Sequence, residues 1–100
     1  MPNPIADFPW QYAHLVSDAL VRTGQGALHT IVVNGLTTAG DCTVYDGVDA
    51  TGVPIAILHL DPTTSISVQP ITLTYDVEFR TGLFLDFGVG LVADLTVSYM

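Results

Sequence analysis

Lysine is absent from this chain of 100 residues, and apart from three histidines its only basic side chains are Arg22 and Arg80. Neutralising a phosphate backbone takes clustered cations, so two arginines far apart in sequence argue against nucleic acid as a ligand. Ten carboxylates leave a formal charge of −8, which favours solubility and opposes non-specific contact with anionic surfaces. Cysteine occurs once, at Cys42, so no internal disulfide can form and no cysteine-based zinc motif is available. Its neighbours Thr43 and Val44 fit a small buried hydrophobe. Long hydrophobic runs are also missing. No stretch approaches the ~18 to 20 apolar residues of a membrane-spanning helix, and the opening MPNPIADFPW has no basic region ahead of an apolar segment. A membrane partner is therefore not expected.

Apolar side chains, by contrast, are plentiful. They make up 49% of the chain while charged residues make up 12%, about half of the ~25% usual in soluble domains. A chain of this length forms one domain and leaves roughly a third or more of its unfolded-chain surface exposed after folding. Some of the apolar surplus must then reach the surface, where a contiguous patch indicates a partner.

The pattern along the chain is that of strands. ITLTYDVEF, residues 71 to 79, alternates apolar and polar without a miss, as a half-buried strand requires. DLTVSY (94 to 99) repeats the alternation, as does the segment from Ser65 to Gln69 with Ile66 and Val68 inward. ALHTIVV (27 to 33) and VPIAILHL (53 to 60) are more continuously apolar, as when both faces of a strand are covered, one by the core and one by something else. GLFLDFG offers Leu83, Leu85 and Phe87 on one face, and DCTVY offers Cys42 and Val44. Glycine, Asn34-Gly35, Asp46-Gly47, Asp61-Pro62 and Pro70 punctuate these runs closely, which leaves little room for long helices. The stretch from Trp10 to Leu20 reads either as one helix or as two extended pieces interrupted at Ser17 and Asp18. The expected fold is all-β: a single antiparallel β-sandwich, jelly-roll-like, over residues 13–100, preceded by an extended proline-rich N-terminal arm over residues 1–12.

Candidate chemistry is sparse. Asp46 and Asp49, with Asp41, could supply oxygens to calcium, but the spacing of a calcium loop is missing, and the stretch 43 to 58 reads as a strand corner in which Asp46-Gly47 turns and Asp49 caps. His14, His29 and His59 lie in three segments without zinc-site spacing and read as ordinary sheet residues. Asp76 and Glu78 share a strand face, which raises paired-carboxylate glycoside cleavage, but their regular place on a polar outer face reads as solvation. No serine lies in a nucleophile turn, and Gly88-Val89-Gly90 precedes a strand instead of opening a helix. No catalytic residue, cofactor or metal is expected, and the chain reads as a non-enzyme.

The order of four segments, ALVRTGQGALHTIVVNG, TVYDGVDATGVPIAIL, YDVEFRTGLFLDF and ADLTVSY, resembles small phage virion jelly-roll proteins of the capsid decoration or head-associated kind, over about residues 19 to 99. The resemblance implies a structural virion protein without catalytic residues, located in the virion. Such a protein forms a homo-oligomer, with a trimer favoured, and its partner is the major capsid protein or another virion protein. The interface candidates are Phe8 and Trp10 on the arm, Ile55, Ile57 and Leu58 on the apolar strand, and Phe84 opposite the Leu83 face. The alternative is a carbohydrate- or receptor-binding module of a phage fibre or tail that stacks sugars on Trp10, Tyr12, Tyr45 or Tyr75. A cupin-like metalloenzyme is the third possibility.

Overall fold

The computed structural model describes residues 10–62 and 70–100. They form eight strands: β1 (Gln11–Leu15), β2 (Ala19–Thr23), β3 (Gly26–Thr38), β4 (Gly40–Asp46), β5 (Val53–Leu60), β6 (Ile71–Phe79), β7 (Gly82–Phe87) and β8 (Val92–Tyr99). The described residues contain no helix. The stretch from Trp10 to Leu20 resolves into β1 and β2, parted at Val16 to Asp18. β1 begins at Gln11, two residues inside the segment read as an arm; residues 1–9, with Phe8, and the run from Ser65 to Gln69 lie outside the described residues.

All pairings are antiparallel, in two sheets of order β1-β8-β3-β6 and β2-β7-β4-β5. β1 pairs with β8, β2 with β7, β3 with β6 and β4 with β5. A single long ribbon, folded back at the β4–β5 corner and then rolled so that β8 meets β3 and β7 meets β4, produces this order. That is the jelly roll.

The core lies between the sheets. Leu28, Ile31, Val33, Phe79, Leu95 and Val97 of the first sheet meet Cys42, Val44, Leu83 and Leu85 of the second, all essentially without solvent exposure. Among the described residues no polar or charged side chain is buried. Burial, with Asp86 and Asp18 nearby, pushes the Cys42 thiol up to about 12, which leaves it an inert core group. β6 runs along a sheet edge, so its inward residues Ile71, Leu73, Tyr75 and Val77 are half-buried and only Phe79 is fully covered.

β3 departs from the expected pattern. It continues through Asn34-Gly35, a pair whose local chemistry favours a turn. Three register shifts against β8, at Leu28/Thr30, Val33/Gly35 and Leu36/Thr38, absorb the extra residues as bulges. The side chain of Asn34 is tied to β8, donating to Asp94 Oδ1 at 3.1 Å and to Thr96 Oγ1 at 2.8 Å.

Candidate interaction surfaces

Residues 43–58 form a corner between two strands. Asp46 closes β4, and its Oδ1 accepts from the backbone N–H of Arg80 at 3.0 Å and Thr81 at 2.8 Å, with Gly82 N at 3.4 Å. These bonds, led by Thr81 and opposed by partial burial, hold its carboxyl below the usual carboxylate range. Gly47 N donates to Gly82 O at 3.1 Å, and Asp49 Oδ1 accepts from Thr51 N at 2.9 Å and the Thr51 hydroxyl at 2.5 Å. The Thr51 hydroxyl and then its N–H lower the Asp49 carboxyl. The two aspartates thus face different partners, and Asp46 fastens the β4–β5 corner to the β6–β7 turn. A Cβ on Gly52 would sit 2.8 Å from Asp46 O and 2.9 Å from Gly47 Cα, so only glycine fits where the loop closes on itself.

Each histidine is paired with an aspartate. His14 Nε2 lies 2.6 Å from Asp94 Oδ1, His59 Nδ1 2.9 Å from Asp41 Oδ1, and His29 Nδ1 is hydrogen-bonded to Asp76 Oδ1. Asn34 and then His14 hold the Asp94 carboxyl below its ordinary range. Among the described residues no three histidine, cysteine or acidic side chains gather as a metal site, and no cavity opens. Glu78 lies 3.7 Å from Arg80 on the exposed side of β6.

The two outer faces differ in chemistry. On the second sheet the registers Leu20↔Phe84, Phe84↔Tyr45 and Tyr45↔Pro54 place four apolar or aromatic residues in one row across all four strands. The rings of Tyr45 and Phe84 are 6.4 Å apart and tilted by 43°, within the range of favourable aromatic pairs. The next outward row holds Asp86, Thr43 and Ile57, and Ile57 is 52% exposed. On the first sheet the corresponding rows are Tyr12, Ser98, Thr30, Thr74 and His14, Thr96, Val32, Thr72, mostly hydroxyls.

The four sheet edges also differ. β1 and β2 are only five residues long, and β6 carries Asp76, Glu78 and a register shift. β5 is eight residues long and has no Asp, Glu, Lys or Arg; its one edge-blunting residue is Pro54.

The residues singled out from sequence do not converge on one site. Ile57 and Phe84 share the outer face of the second sheet. Ile55, at the register shift between β4 and β5, is half-buried and packs on the core. Leu58 faces Cys42 and is only 8% exposed, so it is a core residue and offers nothing to a partner. Trp10 is on the other sheet, stacked on His29. Leu20, Pro54 and Tyr45, the last read from sequence only as a platform for sugars, complete the row, which the sequence does not reveal because cross-strand neighbours depend on register that no local pattern displays.

Fold and surface together define the class: a single-domain jelly-roll sandwich with one apolar and one hydroxyl-rich outer face. Comparison with protein-family models, with curated proteins and with solved structures finds no match.

Proposed function

We propose that this chain is a structural subunit of a phage virion, a capsid decoration, cement or head-associated protein that self-associates and binds the capsid surface. Jelly rolls also serve lectins and cupins, so topology alone does not choose a function. The observation that carries the reading is the row Leu20, Phe84, Tyr45 and Pro54, extended by Ile57, on the outer face of the second sheet. Copies with a charge of −8 repel one another, so contact between them is least opposed where charge is sparse, and the adjoining β5 edge has none. Aromatic anchors at the centre of a patch carry most of an interface's energy. A stable interface buries roughly 800 Å² a side; the row supplies the apolar centre of such an area, and a polar rim supplies the rest.

Light scattering of the purified protein tests this. A defined oligomer is expected, a trimer by preference, together with co-sedimentation with capsids that lack the protein. Ile57→Asp should lower the mass to one chain while the circular dichroism stays that of a β protein. A monomer at tens of micromolar, indifferent to that substitution and without affinity for capsids, would remove the support for assembly.

A further inference from the structure

The chain's one tryptophan, Trp10, is 37% exposed yet held in place. Its indole stacks on the His29 imidazole with ring centres 4.2 Å apart and planes 12° apart. That imidazole is held in turn by Asp76 through a hydrogen bond at Nδ1, on the ring edge. Asp76 reaches it from a bulge: Tyr75 and Asp76 together face His29 between the pairs Leu28↔Val77 and Thr30↔Thr74, and Asp76 takes φ 51°. Aspartate tolerates the left-handed region at some cost, and strain of that kind gathers at sites where geometry matters.

Two residues beyond Trp10, which immediately precedes β1, Tyr12 is 77% exposed on that strand's outer face. Beside it run Ser98, Thr30 and Thr74, one hydroxyl on each remaining strand. Of the carboxylates on this side, Asp76 and Asp94 are each engaged by a histidine and Glu78, at the end of β6, lies 3.7 Å from Arg80. The face therefore offers two aromatic rings, a line of hydroxyls and little uncommitted charge.

Each feature narrows the ligand. A phosphate-bearing chain meets no lysine and a charge of −8. An apolar peptide would strip water from the hydroxyl row without replacing its hydrogen bonds, which is costly. A neutral sugar chain satisfies both halves of the surface, laying the C–H face of its rings on indole and phenol and its hydroxyls against serine and threonine. The absence of a cavity among the described residues suits the flank of an extended chain, not a single ring.

We propose that the outer face of the first sheet binds an uncharged oligosaccharide, with Trp10 and Tyr12 as stacking platforms, Ser98, Thr30 and Thr74 as hydrogen-bonding partners, and His29 and Asp76 as positioning residues for the indole. This gives the sugar-binding alternative a location and a ligand class. It does not rest on the assembly reading, which concerns the opposite face.

The lone tryptophan reports on its own site. Hexasaccharides of glucose (β-1,4- and α-1,4-linked) and of N-acetylglucosamine are titrated against intrinsic fluorescence, with calorimetry in parallel. At least one should give a saturable change. Tyr12→Ala should weaken it about tenfold, and Trp10→Ala should abolish the calorimetric signal. His29→Ala should weaken binding with Trp10 still present. Tyr12 is so exposed that its replacement leaves folding intact, so the test holds even where Trp10→Ala unfolds. No saturable binding by any of the three sugars would overturn the proposal, as would affinity unchanged in Tyr12→Ala. Ile57→Asp leaves sugar binding intact, so a failure here is distinct from a failure of assembly.

Discussion

The two sheets are built to one plan and end in different chemistry. Each has four antiparallel strands, and each turns a nearly dry apolar side inward. Outward, the first shows mostly hydroxyls, Ser98, Thr30, Thr74, Thr96 and Thr72 beside Val32 and His14, whereas the second shows mostly apolar side chains, Leu20, Phe84, Tyr45, Pro54 and Ile57 beside Thr43 and Asp86. Period-two alternation explains which residues face out. It does not explain why one outward set is hydroxylic and the other greasy, since threonine, tyrosine and phenylalanine all suit a strand. That difference is what the two proposals rest on, a polar ligand for the first face and a second protein surface for the other.

The sharpest break of this comparison is to charge each face in turn. Phe84→Asp on the second sheet should weaken self-association by about thirtyfold or more, as for a central aromatic anchor, while Thr72→Asp on the first should leave the mass in light scattering unchanged. Equal effects would mean that the faces do not divide their roles.

A smaller effect compares two glycines, one at the corner of the second sheet and one within the first. Gly52→Ala drives a Cβ into Asp46 O and Gly47 Cα, and should cost about 1–3 kcal/mol in urea unfolding. Gly35 in β3 has open space around its Cβ position and no left-handed φ, so Gly35→Ala should be neutral or gain a few tenths up to about 1 kcal/mol.

The smallest effect is electrostatic. Asp46 and Asp94 have carboxyls lowered in the folded state, chiefly by the Thr81 N–H in one case and Asn34 in the other. The stability they contribute is complete above the unfolded carboxylate value of about 3.9 and is lost as pH falls through the lower folded values. Unfolding midpoints should be level near neutrality and decline below about pH 4. Asp46→Asn should flatten that decline more than Asp94→Asn, because Asp46 receives backbone donors from a whole turn.

Much of the fold was legible in the sequence. Ile71 to Phe79 and Val53 to Leu60 coincide with β6 and β5, one through strict alternation and the other through an apolar run bounded by turn residues. The corner at 43 to 58 was legible from its Asp-Gly pair and its spacing. What escaped depends on partners remote in the chain. Asn34-Gly35 has turn chemistry, yet pairing with β8 overrode it and made a bulge. Leu58 and Ile57 could not be told apart, because an uninterrupted apolar run has no phase to say which residue turns inward. The bonds from Asp46 to residues 80–82, and the pairing of each histidine with its own aspartate, join segments between 18 and 80 positions apart, beyond any local rule. The candidate site was only partly legible for the same reason: Phe84 and Ile57 were named, but the row they belong to exists only once the strands are in register.

The pairing of β1 with β8, Gln11 against Tyr99, sets a timetable for synthesis. The first sheet lacks its second strand until Val92–Tyr99 have been made, long after β1 and β3, so a chain still short of β8 holds β1 and β3 without the neighbour that joins them. Contacts this distant make for slow folding, and exposed strand borders during the wait invite clumping. A cell producing the protein in quantity would gain from slow translation or a chaperone that shelters the early strands.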